Sequence, residues 1–343
     1  DFHGGGGDDR LSLNGDFSSG VILGANYSGI EAIQATGGHD YNFTLMDNLV
    51  AAGATLEIDG GSISSGHSLN VDGADETDGI FHMTGGAGDD SLTGGAQGDL
   101  FDLSQGGHDT VSGGGGDDAI ISLGTGFDAG DKVDGGSGFD SVALLGDYSG
   151  GLTLGAATMT NIEEISFQGA FNYALTTNDA TVAAGQTLYV GEFILPAAQS
   201  LTFDGSAETD GHFFADLGAA QCDITGGAIS DSFQANAGGS NGFNTADAIN
   251  GGAGNDSLSL SVQEATSLTF TDATIQSVET LILSSSGTSP LSLTMADGNV
   301  AAGTTLSVFG ILMSSSSALT FDGSAETDGS YAISGGAGND SLT

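Results

Sequence analysis

A nine-residue phrase of the form G-G-x-G-x-D-x-U-x, with U a large apolar residue, recurs along this chain and leaves few folds open to it. Good copies stand at Gly4–Ser12, Gly85–Thr93, Gly113–Ile121, Gly135–Ala143, Gly251–Ser259 and Gly335–Thr343. Looser copies begin at Gly94, Ser104 and Gly226. Glycines at fixed positions let the backbone turn with φ > 0 and aim carbonyls inward. The sixth-position Asp adds a carboxylate, and the apolar eighth position opens a short strand. Each copy therefore reads as one turn feeding one strand.

The phrase sits inside a longer repeat. Gly126–Leu144 (GFDAGDKVDGGSGFDSVAL) returns at Gly242–Leu260 as GFNTADAINGGAGNDSLSL. VAAGxTL occurs at Val50, Val182 and Val300, and an ETDG turn at Glu76, Glu208 and Glu326. The copies run 1–134, with a dense nonapeptide run at 85–121, then 135–250 and a shorter 251–343. Between motifs lie short runs rich in Leu, Ile, Val, Thr and Phe, such as Ile162–Phe167, Leu201–Phe203 and Leu281–Leu283, separated by Gly, Asn, Asp or Ser. That is strand-and-turn grammar, and no stretch sustains helical spacing with a capping signal.

Charge narrows the partners. The chain carries 45 Asp and Glu against 2 Lys and Arg, a formal charge of −43. Nucleic acid is excluded as a partner, since phosphate binding needs a basic footprint. Anionic membrane surfaces are excluded for the same reason. No apolar run approaches the roughly 20 residues of a membrane span, so membrane insertion is not expected. Disorder does not fit either, because 38% of residues are apolar and disordered chains combine high charge with low hydrophobicity. Acid must be neutralised locally, and with so few basic residues a bound cation is the natural agent. The single cysteine, Cys222, permits no internal disulfide and reads as a small buried apolar residue.

The nonapeptides resemble those of RTX, or haemolysin-type, calcium-binding repeat proteins. The intervening stretches at Gly146–Leu154, Asn161–Ile165 and Thr176–Leu188, with the SLTFDGSAETDG phrase, are similar to long tandem arrays in large secreted proteins of Gram-negative bacteria. The resemblance spans essentially the whole chain. It implies an all-β fold, a right-handed parallel β-solenoid with a calcium β-roll section near 85–143. It also implies type I export, an extracellular or cell-surface location, and folding driven by Ca2+.

In that arrangement loops about 18 residues apart stack with a calcium between them. Motif starts at 85 and 104, and at 94 and 113, lie 19 residues apart. The extra residue is assigned to Leu103 as a bulge. One calcium is then expected between the 85–90 and 104–109 loops, using Asp90 and Asp109 with carbonyls around Gly86, Gly88 and Gly107. A second is expected between the 94–99 and 113–118 loops, using Asp99 and Asp118 with Gly95, Gly114 and Gly116; Gln97 in place of the fourth-position glycine weakens it. Equivalent candidates are Gly136, Gly138 and Asp140. The copies with Gly7 and Asp9, with Gly252, Gly254 and Asp256, and with Gly336, Gly338 and Asp340 have no partner 18 residues away and read nearly as well as plain turns. The ETDG loops offer further acid for cation binding, but read more simply as solvated turns. Glu31, Glu163 and Glu279 sit in apolar runs, where they can cap a ladder or line a site; the simplest expectation for them is an outward-facing strand residue.

Nothing points to catalysis. Six scattered histidines form no H-E-x-x-H. Gly238–Gly242 (GGSNG) matches G-x-S-x-G without the following helix that a nucleophile elbow needs. The expectation is a non-enzymatic structural protein of a surface layer, matrix filament or adhesin stalk, self-associating head-to-tail or laterally. The alternative is the calcium-binding region of a secreted enzyme or toxin whose catalytic domain lies outside this chain.

Overall fold

Strict alternation of apolar and polar residues makes strands with one buried face. Ser257–Val262 (SLSLSV) shows it plainly: Leu258, Leu260 and Val262 are fully buried, and the serines between them are not. The computed structural model describes residues 2–191, 195–237 and 242–343. The GGSNG run lies outside these, except for its last residue. Strands account for 48% of the chain. Among the described residues the one helical element is a single 3-10 turn, Asp297–Asn299.

The chain forms two compact units, 1–147 with 154–166, and 148–153 with 167–343. Both repeat junctions, 134/135 and 250/251, fall inside a unit. Each unit is a parallel β-solenoid in which one coil contributes a strand to each of two sheets. In the first unit one sheet runs through Arg10–Leu13, Ala32–Gly37, Thr55–Ile63, Ile80–Thr84, Leu100–Asp102, Ala119–Leu123 and Ser141–Leu145. Facing it are Phe17–Leu23, Tyr41–Leu45, Leu69–Asp72, Ser91–Thr93, Thr110–Gly115, Lys132–Ser137 and Met159–Thr160. In the second unit, strands from Thr187–Gly191 to Ser330–Ser334 form one sheet. The return strands divide between a sheet from Tyr148–Thr153 to Ile275–Gln276 and a four-stranded sheet from Thr266–Thr269 to Ser341–Leu342.

Parallel strands normally need a long crossover, usually a helix. Here the facing sheet is the crossover, so short glycine-rich turns suffice. In-register stacking places like on like. Ile58, Met83, Phe101, Ile120 and Val142 are successive partners along one face. Phe43, Val71, Leu92, Val111, Val133 and Met159 oppose them on the other sheet. All are at most 2% exposed. Each such side chain contributes about 1.5–3 kcal/mol by leaving water, and neighbouring coils share one continuous core. Cys222 is part of the core of the second unit, 1% exposed.

Candidate metal centre

The turns of the first unit lie along two edges of the coil stack, and the nonapeptide aspartates form a ladder on each. On one edge Leu69 N–H donates to Asp90 Oδ1 at 2.7 Å, Asp90 N–H to Asp109 Oδ1 at 2.9 Å, and Asp109 N–H to Asp131 Oδ1 at 2.7 Å. On the other, Phe81 N–H donates to Asp99 Oδ1 and Asp99 N–H to Asp118 Oδ1, both at 2.7 Å. Asp118 N–H then donates to Asp140 Oδ1, and Asp140 N–H to Glu163 Oε2, both at 2.8 Å. The second unit repeats the pattern from Phe213 through Asp231 and Asp256 to Glu279 Oε2.

The loop pairs 85–90 with 104–109, and 94–99 with 113–118, are therefore stacked, with strand registers Ser91↔Thr110 and Leu100↔Ala119. Leu103 is not a strand bulge. Those registers run without a shift, and Leu103 is a buried residue opening the longer turn, its N–H donating to Ile121 O. The copy at 251–256 is not isolated either. It stacks on 226–231 at a separation of 25 residues, because the opposite turn of that coil is longer. The copies at 4–9 and 335–340 stack on non-nonapeptide loops: Asp9 N–H donates to Glu31 Oε2, and Asp340 Oδ1 accepts from Leu319 N–H. Glu31, Glu163 and Glu279 thus cap ladders by reaching across a coil instead of facing outward.

The loops divide by the backbone of their glycines. In the copies at 4, 113, 135 and 251, the second- and fourth-position glycines are all left-handed, with φ between +92° and +147°. In each, the second carboxylate oxygen of the sixth-position Asp is buried with no hydrogen-bond partner: Oδ2 of Asp9, Asp118, Asp140 and Asp256. Asp109 Oδ2, beside left-handed Gly106 and Gly107, is in the same state. In the copies at 85, 94 and 226 the second glycine is not left-handed, and its N–H turns inward. Gly86, Gly95 and Gly227 donate to Oδ2 of Asp90, Asp99 and Asp231 at 2.5–2.7 Å. The expectation of left-handed glycines throughout thus holds for only part of the set.

Glycine is required for a second reason. A Cβ on Gly136 would stand 2.3 Å from the carbonyl oxygen of Gly114, one on Gly114 2.3 Å from that of Gly95, and one on Gly252 2.2 Å from that of Gly227. A Cβ on Gly138 or Gly338 would meet Gly116 O or Ser317 O, and on Gly88 or Gly107 would meet His67 O or Gly88 O, all within 2.2 Å. Successive coils pack backbone on backbone. Gly7 and Gly254 are left-handed turn residues, and Gly336 approaches Gly310 O.

Burial makes these carboxylates weak acids. Loss of hydration is the largest cause, opposed by backbone donors and reinforced by neighbouring carboxylates. Asp90, Asp99 and Asp131 are pushed up to about 6, Asp118 and Asp256 to about 7, and Asp109 to about 8. Asp140, Asp231 and Asp247 move the same way. Among the described residues the ion pairs are two histidine contacts, His67–Asp40 and His108–Asp128, neither with a ladder aspartate. A buried carboxylate oxygen without a donor needs a proton or a cation. Stacked carboxylates and carbonyls are the all-oxygen surroundings that a hard divalent ion takes.

Motif reading does not reach Asp131 and Asp247. Each accepts its own turn's N–H, from Asp128 or Asn244, and one from the preceding coil, from Asp109 or Cys222. The only sequence signal was the GFDAGD and GFNTAD echo. The ETDG glutamates Glu76 and Glu208 are fully buried, not solvated. Each joins two aspartates in a group with the composition and spacing to hold a metal ion, as does Glu326. Comparison with protein-family models, curated proteins and solved structures finds no match to the chain. Fold and site together define a parallel β-solenoid with internal carboxylate ladders and acidic groups able to hold metal.

Proposed function

We propose that the chain is a secreted, calcium-binding structural repeat protein, part of a bacterial surface layer, extracellular filament or adhesin stalk, folded and rigidified by Ca2+. The observation that carries this reading is the set of buried, donor-less carboxylate oxygens on Asp9, Asp109, Asp118, Asp140 and Asp256 in a chain with 2 basic residues. These aspartates, with the stacked glycine carbonyls, would hold the ion. Bound calcium would supply the missing countercharge and tie one coil to the next. The resemblance to RTX repeats agrees with this chemistry. An unneutralised chain repels itself and would stay open until it met calcium. Extracellular modules bind calcium at about 10⁻⁴–10⁻³ M. Sheet ends with unpaired strands offer a template for self-association.

The test is circular dichroism during calcium titration, with electron microscopy of the same samples. Cooperative gain of β signal near millimolar calcium, reversed by chelator, is the expected result, with filaments or sheets in the calcium samples. A chain fully folded in chelator and indifferent to calcium would overturn the reading. Folding without assembly would favour the calcium-binding region of a secreted enzyme or toxin.

A further inference from the structure

The ETDG turns hold a second kind of site, separate from the nonapeptide ladders. Each brings together three carboxylates from two successive coils: Asp47 with Glu76 and Asp78, Asp179 with Glu208 and Asp210, Asp297 with Glu326 and Asp328. Within each group one oxygen per residue lies within 4.8 Å of the others. Two oxygens on one calcium can be at most about 5 Å apart, given bonds of 2.3–2.6 Å. All three therefore fit one coordination shell.

The surrounding hydrogen bonds are the same each time. The leading Asp takes the backbone N–H and the hydroxyl of the ETDG threonine on Oδ1: Thr77 at 3.1 and 2.5 Å, Thr209 at 2.9 and 2.6 Å, Thr327 at 2.7 and 2.9 Å. The Glu takes the next two backbone N–H groups on Oε1, from Asp78 and Gly79, Asp210 and Gly211, or Asp328 and Gly329. The other glutamate oxygen, Oε2, is buried without a partner in all three. Glu76 and Glu208 are 0% exposed. Three clustered carboxylates with a buried, donor-less oxygen repel one another unless a cation joins them.

Chain spacing does not explain the recurrence. From the first group to the second every member advances by 132 residues, and from the second to the third by 118. The insertion differs, yet the constellation is retained. We infer that each ETDG triad is a hard divalent-cation site of the calcium type, one per repeat copy, stapling the D-x-x-V-A-A-G loop of one coil to the ETDG loop of the next. This inference stands on the triads' own geometry and does not depend on the nonapeptide loops binding calcium.

The test is calcium stoichiometry of the full chain by equilibrium dialysis at saturating calcium. Wild type is compared with the triple variant Glu76→Gln/Glu208→Gln/Glu326→Gln and with Asp78→Asn/Asp210→Asn/Asp328→Asn. The second variant changes only exposed side chains, so it decides the matter if the first does not fold. Three fewer ions per chain in the variants is the expected result. An unchanged count in a folded variant overturns the triads and leaves the nonapeptide reading intact. A wild type that binds only three ions, lost in the variants, supports the triads and sinks the nonapeptide reading. A wild type that binds none overturns both.

Discussion

Asp118 accepts the backbone N–H of Asp99 on Oδ1 at 2.7 Å and buries its Oδ2 with no donor at all. One oxygen holds two coils in register. The other is charge without a partner in a space that water does not reach. Stability and cation demand thus meet in one side chain.

Chelated protein should lose stability as pH rises. Unfolded aspartates titrate near 3.9, whereas Asp118 and Asp256 titrate at about 7 and Asp109 at about 8 when folded. Above pH 4 the folded state holds protons that the unfolded state has released. Its stability is then greatest at low pH and falls through pH 6–8. Urea midpoints in chelator should be higher at pH 5.5 than at pH 8.5. Saturating calcium should reverse the order, because binding requires the deprotonated carboxylate. A chelated midpoint that rises with pH contradicts the account.

Asp118→Asn and Asp118→Ala separate the two oxygens. Asparagine keeps an acceptor for Asp99 N–H and removes the charge. In chelator at pH 8.5 it should match or exceed wild type, while gaining less from calcium. Alanine leaves that buried N–H unpaired, which costs about 1–3 kcal/mol. Chemical denaturation with and without calcium checks both, and equal behaviour of the two variants would be the contrary outcome.

Gly136→Ala should be far worse than Gly185→Ala. Both positions are left-handed, with φ of +99° and +72°. A Cβ at Gly185 meets nothing within 4 Å, and one at Gly136 stands 2.3 Å from Gly114 O. The strained dihedral alone costs about 1–2 kcal/mol, and coil separation at Gly136 brings the total to about 2–5 kcal/mol. Thermal denaturation in calcium should rank them so.

Phe101→Ala tests the shared core. Phe101 is fully buried, with Met83 and Ile120 as register partners on either side. The cavity should cost about 3–5 kcal/mol. A denaturant midpoint near wild type would mean that the coils are not closely packed there.

The strands were legible because a two-residue period is local: Leu258, Leu260 and Val262 announce their own buried face. The loop pairs at 85 and 104, and at 94 and 113, were legible from spacing, since regular coils turn separation in sequence into adjacency in space. The partnership of 226–231 with 251–256 was hidden, because a longer turn on the opposite edge shifts the interval. Asp47, Asp179 and Asp297 were hidden for the same reason, each lying 29 residues from its glutamate with no motif linking them.

Periodicity, turn chemistry and the acid excess belong to the sequence alone, and they determine a parallel coil of short strands that must find its countercharge elsewhere. Which carboxylates carry that need was decided only in the folded stack. Whether Gly86 N–H turns toward Asp90 or Gly114 N–H turns away from Asp118 depends on glycine dihedrals that no residue name specifies. Whether Glu76 is wet or dry depends on loops of neighbouring coils. The decisive contacts join residues 18 to 30 positions apart, where backbone direction and loss of water, not local preference, set the energy.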